Sequence, residues 1–185
     1  MENLSILKFK AMIWIIVSII IVTIIVVLAY FGAFHNVTIR TENVGGETVV
    51  YKSVLGDYRQ TASVSDEVYY YLQDELKIVT YKGIGLYYDD PKKVKKEELK
   101  SEVGCVIEPE DIEKLENADC KYKIKKLPVQ ESAVTEFPFK GFPSVILGLI
   151  KVYPKMNRYV IDNSIAPKPS VEIYDIPNKK IIYRR

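Results

Sequence analysis

The apolar and polar positions divide the chain in two. Residues 11–31 read AMIWIIVSIIIVTIIVVLAYF, with no charge and only Ser18 and Thr23 clearly polar. At about 1.5 Å per residue a helix of this length reaches roughly 30 Å, the thickness of bilayer hydrocarbon. In lipid, a helix satisfies every backbone group within one segment, whatever the β-propensity of Ile and Val. Trp14 and Tyr30 lie near the two ends, where amphipathic rings favour the interface. The run is longer than a signal-peptide core, and LAYFGAF has no clean small-x-small cleavage site. The pattern predicts an uncleaved anchor: a short tail over 1–10, a transmembrane helix over 11–33 in the lipid bilayer, and a domain over 37–185. Lys8 and Lys10 against Arg40 place the N-terminus in the cytoplasm and the domain outside, by a margin of one residue.

Beyond Val37, strand and helix patterns alternate. ETVVYKSV (47–54), IVTYKGIGLYYDD (78–90), SEVGCVIE (101–108) and ESAVTEF (131–137) read as strands. KYKIKKL (121–127) alternates Tyr122 and Ile124 with lysines, a half-buried strand with a wet face. SVSDEVYYYLQDEL (63–76) reads as a helix capped by Ser63, with Val68, Tyr71, Leu72 and Leu76 on one face. A second helix spans 144–162, with Pro154 expected to kink or divide it. SVEIYD (170–175) and KIIYR (180–184) form a hairpin around IPNK.

Two halves look alike. GLYYDDP (85–91) and VEIYDIP (171–177) both follow a strand–helix pair, and aligning them sets Tyr88 against Tyr174 and Leu86 against Glu172. The expected fold is α+β: duplicated strand–helix–strand units forming one antiparallel sheet with two helices on one face, preceded by the single transmembrane helix. The other face would be open and concave. Along 170–175 the side chains alternate, so Val171 and Ile173 are expected under the helices and Glu172 and Tyr174 on the open side, joined by Leu86 and Tyr88. That polar face is either solvated or the floor of a site.

Charge and composition then exclude several chemistries. Formal net charge is +2, from 26 basic against 24 acidic residues, which gives no electrostatic case for nucleic acid. The single histidine is His35 and the two cysteines are Cys105 and Cys120, too few for a zinc site and wrongly placed for a Ser-His-Asp or Cys-His centre. No metal and no cofactor is expected. Both cysteines share parity with apolar neighbours and are expected as buried thiols, with a disulfide as the alternative outside the cytoplasm. Fourteen tyrosines suit an amphipathic pocket. Tyr58, after the strand–helix turn, lines a rim or packs on the surface. Tyr88 is the pocket candidate and Tyr87 the core one. Phe139 and Phe142 pack in the core or line the pocket.

The two-fold repeat, with GDY (56–58), YYDDP (87–91) and EIY (172–174), resembles the GyrI-like small-molecule-binding domain family. VGCVI, TEFPFKG, KVYP and PSVEIY, together with the anchor, resemble its membrane-anchored testis-expressed ER-phagy receptor branch. The resemblance implies that Glu172, in the E-x-Y phrase, sits at the centre of an aromatic pocket with Tyr174 beside it. Such a carboxylate attracts a polar or cationic organic ligand. In the family the same Glu is also proposed to assist hydrolysis of small electrophiles, so the alternative is a hydrolase with Glu172 as its general base. A third reading is a membrane adaptor for protein partners, although no residue indicates one. The receptors carry a disordered tail with a docking motif. This chain ends at Arg185 without one and has no helix-turn-helix, so neither the autophagy role nor DNA binding is expected to transfer. The receptors also hold the domain in the cytosol, opposite to the charge-based orientation.

Overall fold

The computed structural model describes residues 2–166 and 168–185. Met1, the first residue of the expected tail, lies outside them. Helix α1 runs over Glu2–Tyr30, so residues 2–10 continue the apolar helix. Within it, Phe9–Tyr30 has a mean hydropathy of 3.2 and none of it is buried. It is the one helix among the described residues long and apolar enough to cross a membrane.

Among the described residues the domain contains eight strands: β1 (Arg40–Val44), β2 (Thr48–Leu55), β3 (Lys82–Tyr87), β4 (Lys100–Ile107), β5 (Lys123–Lys126), β6 (Gln130–Pro138), β7 (Ser170–Asp175) and β8 (Lys180–Arg184). Its helices are α2 (Thr61–Asp74), the short α3 (Ile112–Glu116) and α4 (Phe142–Asp162). The strands form one antiparallel sheet in the order β1-β6-β8-β7-β3-β4-β2-β5. The duplication is visible in that order. From the centre outward, β7-β8-β6 on one side mirrors β3-β4-β2 on the other, with α2 and α4 the equivalent helices. The fold is therefore the α+β arrangement expected from the repeat.

α2 and α4 cover the same face. Val68 and Leu72 of α2 pack with Ile78 on Val50, Cys105 and Ile107. Val152, Met156 and Val160, four residues apart along α4, pack on Ala133, Phe137, Ile181 and Tyr183. α2 starts at Thr61 and not at Ser63, because a 3-10 turn over Tyr58–Gln60 leads into it and Thr61 Oγ1 donates to the Tyr58 carbonyl at 2.7 Å. α4 runs undivided through Pro154. Proline removes the N–H that the Ile150 carbonyl would receive, and Ile150 lies on the exposed side of the helix, where losing that bond is tolerated.

The helix-free face is not open. Three-residue links, 45–47 and 127–129, join β1 to β2 and β5 to β6. β6 and β5 stand six strand spacings apart, about 29 Å in a flat sheet at ~4.8 Å each. Three linking residues reach at most about 15 Å. The sheet must therefore curl until its edges approach, and the links run antiparallel across the gap, Gly46 N–H to the Leu127 carbonyl and Leu127 N–H to the Glu47 carbonyl, both 2.9 Å. Gly45, at φ 135°, lies against the Pro128 carbonyl where a side chain would not fit. The enclosed face has its own core of Val49, Ile84, Leu86, Val106, Leu127 and Ile173, flanked by Val171 and Ile182. Val171 and Ile173 thus lie away from the helices, opposite to the sequence expectation. Both cysteines are free, and both pack with the α2 core.

Candidate functional site

Strand register decides what faces the helices. One row across the sheet runs Val50, Cys105, Gly83, Tyr174, Ile181, Phe137. The next runs Lys52, Val103, Gly85, Glu172, Tyr183, Thr135. Both lie under the helices. Glu172 therefore sits on the central strand β7, beneath the gap between α2 and α4, and is 3% exposed. Its neighbours on β3 are glycines: Gly85 directly opposite, Gly83 opposite Tyr174. The two glycines leave the sheet bare there. The Tyr87 ring lies across Gly85, within 2.8–2.9 Å of where a Cβ would stand.

The carboxylate is fully engaged by phenols. Tyr153, from α4, donates to Glu172 Oε1 at 2.6 Å, and Tyr174 donates to Oε2 at 2.6 Å. Tyr183 is the cross-strand partner of Glu172, and its ring packs edge-on against Tyr153 at 5.9 Å. Burial raises the Glu172 carboxyl above its ordinary range, and the two phenol donors oppose the rise. The same burial, together with the nearby carboxylate, raises the Tyr153, Tyr174, Tyr87 and Tyr183 hydroxyls, so all four remain neutral. The Tyr183 hydroxyl is buried without a hydrogen-bond partner and points at Gly148 of α4, where a Cβ would collide with it.

Four of the expected residues come together. Glu172 and Tyr174 form the centre, on the helix-covered face. Phe139 packs edge-on against Tyr174 at 5.6 Å. Tyr58 packs edge-on against Tyr87 at 4.9 Å, and its hydroxyl is held by the Asp89 carbonyl at 3.0 Å and the Asp89 N–H at 3.1 Å.

Two do not join them. Tyr88 points to the other side of the sheet, where it donates to Glu102 at 2.6 Å beside the Lys125–Glu102 pair. Phe142, in the first turn of α4, is 74% exposed. The reason for the Tyr88 discrepancy is a register slip of one: Gly85, not Leu86, faces Glu172, so the repeat sets Tyr87 in the Tyr174 role. Leu86 belongs to the enclosed core on the opposite face. Tyr87, expected in the core, lies beside Glu172 in the structure, and Tyr153 and Tyr183 are the neighbours that sequence reasoning missed. Tyr183 was legible, because a four-residue hairpin turn over 176–179 sets it opposite Glu172.

Glu172 is closed off from solvent in this structure. Two surface depressions, of about 480 and 380 Å³, lie at the far end of β2 and around Tyr88, and neither includes Glu172. The arrangement is a neutral-phenol cradle around a buried carboxylate, with glycines beneath it.

A family model for the GyrI-like small molecule binding domain matches residues 37–181. The chain belongs to the GyrI-like domain family. The match runs from the residue that follows the α1 linker into β8, so it takes in the whole sheet except its last three residues. Among curated proteins, testis-expressed protein 264 of Homo sapiens is 25% identical over 160 residues, covering 82% of this chain and 49% of that protein. Its Mus musculus homolog is 26% identical over 155 residues, covering 78% and 48%. The chain thus spans about half the length of the curated relatives it matches. Among solved structures, the EcmrR C-terminal domain aligns with a TM-score of 0.54 at 12% identity, over 80% of this chain and 95% of that one. SAV2435 bound to tetraphenylphosphonium aligns with a TM-score of 0.52 at 11% identity, over 80% and 92%. At these identities the likeness is one of GyrI-like fold.

Proposed function

We propose that this GyrI-like chain is a membrane-anchored binding protein that holds an organic cation against Glu172 among Tyr153, Tyr174, Tyr87 and Tyr183. The observation that carries the reading is the carboxylate itself. A charge-bearing side chain buried to 3% exposure, with phenol donors and no basic partner among the described residues, is costly to the fold. Such a group is kept where it is used. A lipophilic cation supplies the missing counter-charge, and the rings supply cation–π contact. That SAV2435, a structure of similar fold, is bound to tetraphenylphosphonium supports the ligand class. Phe139 and Tyr58 buttress the cradle from outside through Tyr174 and Tyr87. The anchor is α1, whose 22-residue apolar span is wholly exposed.

The test is calorimetric titration of the full chain in neutral detergent with tetraphenylphosphonium, wild type against Glu172→Gln. Saturable binding weakened about tenfold or more by the substitution, the weight of one charge-assisted contact, is the expected result. Equal affinity in both proteins, or none in either, overturns the reading.

A further inference from the structure

The short connection between α1 and the domain is not a free tether. Gly32 packs against the Phe137 ring and Pro138 at the end of β6, and its φ of 99° turns the chain there. Ser144 donates to the Phe31 carbonyl at 3.1 Å, and Lys151 donates to the carbonyls of Ala33 and, at 2.7 Å, His35. His35 packs edge-on against Phe137 at 5.3 Å, and the Lys140 ammonium lies 4.3 Å from the centre of the Tyr30 ring. The last turn of α1 is thereby fixed to one end of the sheet, the end where β6 and β7 finish and β3 and β8 begin.

That end is unusually apolar for a surface. Phe34 is 71% exposed, Tyr81 54%, Phe142 74% and Ile176 52%. Ile176 and Tyr81 are held side by side by a 3.2 Å backbone hydrogen bond, and Phe142 lies between the two residues, Lys140 and Ser144, that grip Tyr30 and Phe31. These side chains come from four separate segments and converge around the point where α1 leaves. Lys140, and exposed Lys179 at the tip of the β7–β8 hairpin, add positive charge to the same end. Aromatic rings with flanking lysines are the composition that favours the headgroup layer.

We propose that this end of the domain, centred on Phe34, Tyr81, Phe142 and Ile176, seats on the surface of the bilayer that α1 enters. The proposal rests on the reading of α1 as an anchor. Its occupant is fixed by geometry: with Tyr30 at the interface, a domain gripped at residues 31–35 has its nearest face against the headgroups. Docking also orients the ligand site. Ile146 and Leu149 continue the exposed apolar surface of α4 from Phe142 toward Tyr153, one and two turns on. The residue that caps Glu172 thus ends a path beginning at the membrane, where lipophilic cations concentrate.

Quenching by brominated acyl chains separates the two ideas. The full chain is reconstituted in phosphatidylcholine vesicles with and without bromine near the headgroup end of the acyl chain. Native Trp14, the only tryptophan, reports α1. Phe142→Trp and Ile176→Trp, each in a Trp14→Phe background, report the docked face, and Leu55→Trp at the opposite end of the strands is the control. The expected result is loss of fluorescence from Trp14 and from both test positions, with none at position 55. Quenching of Trp14 alone leaves the anchor standing and overturns the docking. An unquenched Trp14 overturns the anchor and the docking together. Quenching at position 55 equal to the others shows nonspecific adsorption and overturns the assigned face.

Discussion

The hydroxyl of Tyr153 on α4 stands 2.6 Å from Glu172 Oε1 on β7, so a hydrogen bond ties α4 to this central strand. Tyr153 belongs to the same α4 as Ser144 and Lys151, which grip the linker from α1. The closed state of the site and the position of the helix are thereby one contact. Tyr153→Phe removes the donor and leaves a buried carboxylate oxygen unsatisfied. The expected cost is about 1–3 kcal/mol in chemical denaturation of the full chain. An unchanged midpoint would show that water reaches Glu172 from outside.

The raised Glu172 carboxyl makes stability depend on pH, and the sign follows from which state holds the proton. In the unfolded chain the group titrates near its ordinary value of about 4.3, whereas the folded chain retains the proton to higher pH. The folded state binds more protons in that window, so the contribution is fully present below the unfolded value and is lost as pH rises through the folded one. Each unit of separation corresponds to about 1.4 kcal/mol. Melting of wild type and Glu172→Gln across pH 4–8 (roughly the carboxyl and near-neutral range) should show wild type losing ground to the variant as pH rises. A constant difference between the two would contradict the assignment.

Gly148 and Tyr183 form a testable pair. Gly148→Ala adds a methyl onto the Tyr183 hydroxyl, and overpacking of this kind costs about 1–3 kcal/mol, more than the ~1 kcal/mol that alanine gains in a helix. Tyr183→Phe deletes a hydroxyl that has no partner and should be close to neutral or stabilising. The double variant should recover most of the loss. Additive effects in a double-mutant cycle would mean the two groups do not touch.

Tyr87 and Tyr88 are adjacent and oppositely directed, which offers an internal control for the ligand site. Tyr87→Ala should weaken tetraphenylphosphonium binding by removing a ring over Gly85, while Tyr88→Ala, which loses only its bond to Glu102 across the sheet, should leave affinity unchanged. Equal losses in both would place the ligand elsewhere.

Much of the architecture was legible locally. The apolar run to Tyr30, the alternation in 47–54, 101–108 and 131–137, the helical spacing of Val68 and Leu72, and the IPNK hairpin each encode their own conformation through side-chain period and turn chemistry. The resemblance also singled out Glu172 and Tyr174, which the structure joins by a hydrogen bond. The short edge strand β1 carries no such signal, because RTENV has a single apolar residue, Val44, and forms a strand only through pairing with β6.

What the sequence by itself determined is most of the helices and strands, β1 and α3 apart, and that the domain repeats one strand–helix–strand unit. Which face of the sheet Glu172 occupies was decided only in three dimensions. A strand repeats every two residues, so aligning YYDD with IYDI one residue out of register exchanges the two faces of β3, and nothing within either segment penalises the error. The pairing of Gly85 with Glu172 resolves it. Tyr153 lies nineteen residues from Glu172 on another element, and their bond exists because α4 packs through Val152 and Met156 onto Phe137 and Ile181. The closed face likewise follows from chain length against sheet width: two three-residue links draw the edges together, a constraint no side-chain pattern records.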